Sequence, residues 1–263
     1  MVVKFPASPR EGVSSCLFFG LLAFVPRLCV FSKLSMPKIE INQTIEDYLR
    51  ALYRVGSRDG KASNAALAKE LAISASAVTE MARRLAEAGL LSYERYRGLK
   101  LTRAGMEIAV GITRRHRLWE VFLIQNLGFE WDEVHDLADQ LEHIGSEELI
   151  DRLEKFLGHP THDPHGDPIP NKNGEIVERP LVSLAELEVG ECGTVERVSD
   201  EFPELLRYAS SLGLFIRGEL QVTEKIAFDG SVRLLANGRE AVVSEKLANS
   251  VFVQREKRSG RRK

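Results

Sequence analysis

The order of the predicted elements between residues 44 and 102 constrains the fold more than any other feature of the sequence. Apolar side chains recur at helical spacing in three successive segments, residues 44–55, 64–71 and 76–88. We expect Thr44 to cap the first helix and residues 57–60 to end it. Two short strand-like runs follow, at residues 90–96 and 99–102. This order is that of a winged helix-turn-helix, which we predict for residues 36–102.

The remainder of the chain divides at a proline-rich loop. Three further helices are predicted before the loop, at residues 103–126, 132–144 and 146–157. Residues 159–180 contain five prolines, which is typical of a domain boundary. Beyond it, one helix lies among β-like runs, at residues 193–198, 203–212, 219–226, 231–236 and 239–243. We therefore predict a mainly α protein with a helical domain at 103–158, a small β-barrel domain at 181–254 and a basic tail at 255–263.

The first 35 residues do not fit this organisation. Residues 16–25 form an apolar run that resembles part of a signal peptide, but it is too short to span a bilayer as a helix. Met36 stands directly before the first regular segment. We expect translation to start at or near Met36; a targeting segment or a disordered extension are the alternatives. The three cysteines form no disulfide framework, which favours a reducing, cytoplasmic location without membrane attachment.

Charge is unevenly distributed along the chain, although the formal net charge is only -2. Residues 37–105 contain 12 Lys and Arg against 8 Asp and Glu, whereas residues 106–178 contain 6 against 16. A basic segment followed by an acidic one suits a nucleic-acid-binding domain joined to a domain that holds cations.

The third helix is the expected recognition helix. In a helix-turn-helix, this helix enters the major groove with its N-terminal residues facing the base edges. The residues that would face DNA are Ser74, Ser76, Thr79, Glu80 and Arg83. Arg95 and Arg97 in the wing are placed to neutralise phosphates. The alternative is that these are solvated charges on a module that contacts protein.

Residues 133–143 combine two histidines with several carboxylates. Four potential ligands follow at i, i+4, i+7 and i+8, namely His135, Asp139, Glu142 and His143. At about 100° per residue they share one helix face. His116 and Glu120 form another same-face pair, and Asp47 on the first helix is placed to complete a metal site. The alternative is an acidic, solvated helix face.

The proline-rich loop offers a rival metal site. Its potential ligands are His159, His162, Asp163 and His165. Polar side chains in such loops often serve turns and caps instead.

Together these segments resemble the diphtheria toxin repressor family, and within it the manganese transport regulators. The resemblance covers residues 36 to about 253 and rests on six segments: TIEDYLRALY (44–53), SASAVTEMARRLAEAGLL (74–91), YERYRGLKLTRAG (93–105), RRHRLWEVFL (114–123), EVHDLADQLEH (133–143) and HPTHDPHGDPIP (159–170). It implies a homodimer that binds a palindromic double-stranded DNA operator when loaded with a divalent cation, and that represses metal-uptake genes. It also implies metal binding and dimerisation by residues 103–158 and an SH3-like C-terminal domain.

The resemblance also implies two ligand sets. The regulatory site resembles Asp47, Asp139, Glu142 and His143, and a second site resembles His116, Glu120 and His135, with Glu201 or Glu204 as further candidates. Iron-type members carry Met and Cys at the positions of Asp47 and Asp139. Two carboxylates there favour Mn2+ over Fe2+, because hard oxygen donors replace soft sulfur. The second carboxylate that short manganese regulators carry on the first helix falls at Arg50, so we do not expect their closely spaced binuclear cluster.

Two other functions are compatible with parts of the sequence. A winged-helix regulator that answers a small organic ligand would bind its operator in the presence of chelators. A hydrolytic metalloenzyme would use the carboxylates and histidines directly. We favour a non-enzymatic regulator, because the sequence contains no nucleophile motif and an enzyme would leave the winged helix unexplained.

Overall fold

The computed structural model describes residues 39–60, 62–94, 98–177 and 179–256. Its N-terminal part is a three-helix unit followed by a hairpin. The helices are α1 (Gln43–Asp59), α2 (Asn64–Glu70) and α3 (Ala75–Glu87), and the strands are β1 (Leu91–Glu94) and β2 (Gly98–Leu101). β1 and β2 pair antiparallel, with Leu91 opposite Leu101. This is the predicted winged helix-turn-helix.

α1 begins earlier and ends later than predicted. The cap is Asn42 rather than Thr44, because the Asn42 side chain accepts a hydrogen bond from the Ile45 amide at 3.1 Å. The helix also continues through Ser57, and it stops only where Gly60 adopts a left-handed conformation. Ser57 is a weaker helix former than alanine, but it does not interrupt the backbone hydrogen bonds as proline would.

α3 is held in the winged helix by its apolar face. Val78, Ala82 and Leu85 are fully buried. Ser74 caps the helix by accepting from the Ala77 amide at 3.2 Å. The opposite face of α3 is therefore left to solvent.

Three helices form the middle of the chain. They are α4 (Arg103–Leu127), α5 (Val134–Leu141) and α6 (Glu147–Phe156). Thr102 caps α4 by accepting from the Gly105 amide. α5 is shorter than the predicted helix at 132–144, so Glu142 and His143 lie in the turn that follows its last residue.

The C-terminal part is a six-stranded antiparallel sheet with two short α-helices and a 3-10 helical turn at Leu184–Glu186. Its elements are β3 (Val182–Ser183), β4 (Cys192–Val198), α7 (Pro203–Ser211), β5 (Glu219–Ile226), β6 (Ser231–Ala236), β7 (Arg239–Val243), α8 (Glu245–Ser250) and β8 (Val251–Arg255). The strand order is β3-β8-β4-β5-β6-β7. Register shifts in β4 and β5 mark bulges, which bend strands and increase their twist. The inward residues of these strands form one apolar core.

These elements confirm the predicted fold class, a mainly α protein with a small SH3-like β domain. Residues 1–35 lie outside the described residues, as do Arg95, Arg97 and all of the predicted basic tail except Arg255 and Glu256. Within the described ranges, no helix has both the length and the hydropathy that a bilayer span requires.

Candidate metal centre

The first centre joins α1 to the turn after α5. Asp47, Glu142 and His143 each offer one ligand atom, and these atoms lie within 4.8 Å of one another. His143 Nε2 lies 3.0 Å from Asp47 Oδ1 and 3.7 Å from Glu142 Oε1. Glu142 is fully buried, whereas Asp47 is partly open to solvent. We refer to these three residues as the first centre.

Two neighbouring charges hold the first centre in place. Glu46 Oε2 lies 2.6 Å from His143 Nδ1, so the imidazole presents Nε2 to the centre. Arg115 donates to the other Glu46 oxygen at 2.9 Å and to the Glu142 carbonyl at 2.6 Å. Neither Glu46 nor Arg115 was predicted from the sequence.

The second centre lies where α4, the proline-rich loop and the C-terminal domain meet. Glu120, His165 and Asp200 bring ligand atoms within 4.8 Å of one another, and Glu120 also groups with His116 and His135. His116 Nε2 lies 3.0 Å from Glu120 Oε1, and His135 Nδ1 lies 3.6 Å from Asp200 Oδ2. We refer to these five residues as the second centre.

The loop presents His165 in a fixed orientation. His165 Nε2 lies 2.7 Å from the Trp131 carbonyl, which only an N–H can approach so closely, and Nδ1 therefore faces Glu120. The His165 carbonyl accepts from the Val198 amide of β4. Next to it, Gly166 has a φ of +92°, and a Cβ there would lie 1.9 Å from the Glu196 carbonyl oxygen. Only glycine allows the loop to approach the strand this closely.

Both centres contain buried polar atoms that have no hydrogen-bond partner among the described residues, namely Glu120 Oε2, His135 Nδ1, Glu142 Oε1 and His165 Nδ1. Glu120 Oε2 and His165 Nδ1 face each other at 3.8 Å, too far for a hydrogen bond. Buried polar atoms are normally paired, and each unpaired one is costly. The residues of each centre therefore fit a bound divalent cation, which would give these buried atoms a partner.

Glu120, Asp139 and Asp47 carry shifted pKa values. Burial raises the pKa of Glu120, but His116, with His135 and His165, more than offsets this, so the pKa lies well below its ordinary value. Burial likewise opposes the fall in the pKa of Asp139, which His116 and Arg50 drive. Burial raises the pKa of Asp47, because His143 and Arg50 offset it only in part.

Asp139 is placed differently from the other predicted ligands of the regulatory site. Its ligand atom groups with those of His116 and Glu142 instead of Asp47 and His143. Asp139 Oδ1 lies 2.6 Å from Arg50 Nη2 and 3.1 Å from His116 Nδ1. Asp139 therefore pairs with Arg50 and is not part of the first centre.

Asp200 is a candidate ligand that the sequence analysis missed. Glu201 and Glu204 were the candidates from the C-terminal domain, but Glu201 lies 3.9 Å from Lys69 and the exposed Glu204 pairs with Arg207. The only available signal was an acidic residue shortly after the buried end of β4, which is weak on its own.

The four candidate ligands of the proline-rich loop have different surroundings in the structure. Only His165 joins a group of ligand atoms among the described residues. His159 is exposed, His162 lies 2.9 Å from the Thr161 hydroxyl, and Asp163 accepts from two backbone amides while facing Arg117. Asp163 thus shapes the turn, as the alternative for this loop anticipated.

The proposed DNA-facing residues of α3 are all exposed, namely Ser74, Ser76, Thr79, Glu80 and Arg83. Arg83 pairs with Glu80 at 2.7 Å and with Glu87 at 2.5 Å along the helix. Asn64 of α2 donates to the Thr79 hydroxyl at 3.0 Å.

Family models match three successive parts of the chain. Residues 40–99 match the N-terminal DNA-binding domain of the iron-dependent repressors, and residues 102–171 match their metal-binding and dimerisation domain. Residues 182–255 match the FeoA domain.

Relatives extend this likeness over most of the chain. The iron-dependent repressor IdeR of Mycobacterium leprae is 30% identical over 230 residues, covering 82% of this chain and 99% of its own length. A solved manganese-dependent transcriptional repressor in complex with manganese is 37% identical, with a TM-score of 0.75, and covers 81% of this chain and all of its own. The manganese regulator SloR is 33% identical, with a TM-score of 0.69, and covers 83% and 100%. The chain therefore belongs to the diphtheria toxin repressor family of metal-dependent, DNA-binding transcriptional repressors.

Proposed function

We propose that this protein is a manganese-responsive repressor whose ion ligands link all three of its domains. The observation that carries the proposal is the origin of the ligands. Asp47 comes from the winged helix, Glu120 and Glu142 come from the helical domain, and Asp200 comes from the β domain. A divalent ion bound at each centre would neutralise the carboxylates and cross-link these separately folded parts.

The first centre connects metal binding to the DNA-binding unit. Asp47 lies on α1, and Leu49 and Val55 on the same helix are fully buried in the winged-helix core that also contains Val78 of α3. A restraint on α1 is therefore passed to the recognition helix through packed side chains. Metal and operator binding are then reciprocally coupled, as for any two linked ligands.

The donor set favours Mn2+, with Fe2+ as the alternative. The two centres offer carboxylate oxygens and imidazole nitrogens only, and Cys192, the described cysteine, belongs to neither. Such donors suit manganese and ferrous iron better than they suit softer ions. The structure of a manganese-loaded repressor that is 37% identical supports the same choice.

The DNA contact is assigned to α3 and the wing. Ser74, Ser76, Thr79 and Glu80 would face base edges, while Arg83, Arg95 and Arg97 would contact phosphates. A homodimer would present two such helices to a palindromic operator. Exposed Leu127, Leu149 and Phe156 support dimerisation, because they lie in the segment that matches the family's dimerisation domain. We assign the protein to the cytoplasm and its targets to metal-uptake genes.

The test is operator binding by metal-stripped protein. DNA is first selected from a random library in the presence of Mn2+, and affinities are then measured by fluorescence anisotropy with chelator, Mn2+, Fe2+ or Zn2+ in anaerobic buffers. We expect tight binding only with a divalent ion and the strongest activation by Mn2+ at buffered concentrations. Equal affinity in chelator would refute metal control and would favour an organic ligand.

A further inference from the structure

Arg50 places a positive charge inside a third group of potential metal ligands. Its Nη1 lies 2.7 Å from Glu142 Oε2 and 2.6 Å from His116 Nδ1, and its Nη2 lies 2.6 Å from Asp139 Oδ1. The ligand atoms of these three neighbours lie within 4.8 Å of one another, so they are close enough to share one ion. The guanidinium stands where that ion would bind.

Arg50 also lies between the two centres. Glu142 turns Oε2 towards Arg50, while Oε1 has no hydrogen-bond partner in the described part of the chain and lies 3.7 Å from His143 Nε2 in the first centre. His116 turns Nδ1 towards Arg50 and Nε2 towards Glu120 in the second centre. Each centre therefore shares one residue with the group around Arg50.

The contacts of Arg50 are energetically important because the groups that make them are buried. Glu142 is fully buried and His116 nearly so, and Arg50 itself is only 15% exposed. A buried carboxylate without a compensating charge is strongly unfavourable. The guanidinium supplies that charge in the absence of metal, and it ties α1 to α4 and to the end of α5.

An ordinary interdomain ion pair would not have these features. It would not place all three contacts on atoms that could ligate metal, and it would not share a carboxylate with a neighbouring ligand group. Arg50 also lines a solvent-facing cavity of 310 Å³ together with Asp47 and Asp139, so an ion could reach this position if the guanidinium were absent.

We infer that Arg50 is a tethered cation that takes the place of a metal ion between the two centres, and that it thereby limits the number of ions the chain binds. The inference rests on the proposed function, because it takes the two flanking centres to be metal sites. It goes further, because it states that the Arg50 guanidinium, and not a metal ion, is the cation that His116, Asp139 and Glu142 hold between the two centres.

The test counts bound ions in variants of Arg50. Arg50→Met keeps an unbranched aliphatic stem but removes the guanidinium and its charge, and Arg50→Lys keeps the charge. Arg152→Met is the control, because Arg152 is an exposed arginine of α6 whose partner, Glu148, belongs to none of the groups of potential ligands. The full chain is stripped of metal and dialysed against buffered Mn2+, and the bound ions are counted by mass spectrometry. Mn2+ electron paramagnetic resonance reports whether ions share a bridging ligand.

We expect Arg50→Met to bind one more ion per protomer than the wild type. The added ion would share Glu142 with the first centre, so its spectrum should show magnetic coupling that the wild type lacks. Arg50→Lys and Arg152→Met should match the wild type in both respects. If Arg50→Met is unfolded without metal but folds with Mn2+ and carries the extra ion, the inference is equally supported.

Two outcomes would overturn the inference. One is a folded Arg50→Met protein with the wild-type ion count, because no site would then have been opened. The other is a variant that stays unfolded in saturating Mn2+, because the ion would not have replaced the guanidinium. Failure of the wild type to bind Mn2+ is a separate result, and it would refute the proposed function instead.

Discussion

Glu46 Oε2 and His143 Nδ1 lie 2.6 Å apart, on two elements separated by almost 100 positions in the chain. The carboxylate fixes the imidazole so that Nε2 faces Asp47, and Arg115 in turn holds Glu46. A histidine that ligates metal commonly depends on such a partner for its orientation and basicity.

Glu46→Gln should therefore weaken Mn2+ binding at the first centre by about 10- to 100-fold, the usual effect of losing such a partner. Isothermal titration of metal-stripped protein would measure this change. Glu147→Gln is the control, because Glu147 also lies near Arg115, at 3.9 Å, but is not a partner of His143. Equal affinities of the two variants would show that Glu46 has no part in ion binding.

Asp200→Asn should remove the ion of the second centre and leave that of the first. Asn keeps the shape of Asp200 but loses the charge that faces His135. Asp47→Asn should have the converse effect, which is loss of the ion at the first centre and retention of the ion at the second. The bound manganese per protomer should fall by one ion in each variant and by two in the double variant. A wild-type count in Asp200→Asn would exclude Asp200 as a ligand.

Loading of the second centre should release a proton and strengthen with pH. Burial lowers the pKa of His165, but Glu120 and Asp163 more than offset this and raise it to about 10. At neutral pH an ion must displace the Nδ1 proton, so we expect Mn2+ affinity to rise by up to about tenfold per pH unit between pH 7 and 9. Titrations in buffers of different ionisation enthalpy would detect the proton.

The same shift has the opposite effect on the metal-free protein. Because the pKa of His165 is raised on folding from 6.5, its stabilising contribution is complete below pH 6.5 and is lost as pH rises towards 10. Thermal unfolding in chelator should therefore show the melting temperature falling over this range. A His165→Asn variant should lose this part of the pH dependence, and an unchanged profile would contradict the assignment.

Arg83→Ala should weaken operator binding without altering Mn2+ binding. Arg83 is exposed on α3, and a lost phosphate contact lowers affinity for all sequences and reduces the salt dependence by about one ion per protomer. Anisotropy titrations at several salt concentrations would measure this slope. Arg152→Ala on α6 provides the control for a general loss of positive charge, and identical slopes would place Arg83 away from the DNA.

Gly166→Ala should disrupt the second centre specifically. The left-handed backbone alone costs about 1–3 kcal/mol, and the new Cβ would collide with the Glu196 carbonyl. Gly158→Ala is the control, because Gly158 also has a positive φ but no atom within 4 Å of its added Cβ. Calorimetry should show a larger fall in melting temperature for Gly166→Ala, together with loss of one ion. Equal effects would mean that the close approach does not matter.

Local patterns in the sequence predicted much of the fold. The bounds of β5, β6 and β7 agree with the predicted runs, because apolar residues alternate there between clear turns. β3 has only two residues, and β8 follows α8 without a turn residue between them, so neither gave a usable signal. The predicted length of α1 was too short, because Ser57 was taken as the residue that ends the helix.

The candidate ligands were less predictable than the elements that carry them. His116 and Glu120 are brought together as their spacing indicated, because both lie on α4. The proximity of Asp200 to Glu120 depends on how the β domain packs against α4, and no local sequence pattern describes that packing. The position of Asp139 depends on Arg50, a residue 89 positions away, and periodicity carries no information about such a pairing.

His116 belongs both to the second centre and to the group around Arg50. Burial lowers the pKa of His116, but Glu120 and Asp139 more than offset this and raise it well above its ordinary value, so the metal-free ring carries one proton on Nε2, which faces Glu120, and one on Nδ1, which faces Glu142 and Asp139. An ion that binds one ring nitrogen of His116 displaces the proton there and changes the contacts that the other nitrogen makes. Binding of an ion at the second centre is therefore linked to the contacts of Arg50, and through Glu142 to the first centre, so repression should respond to a rise in cellular manganese over a concentration range different from that of a site that fills alone.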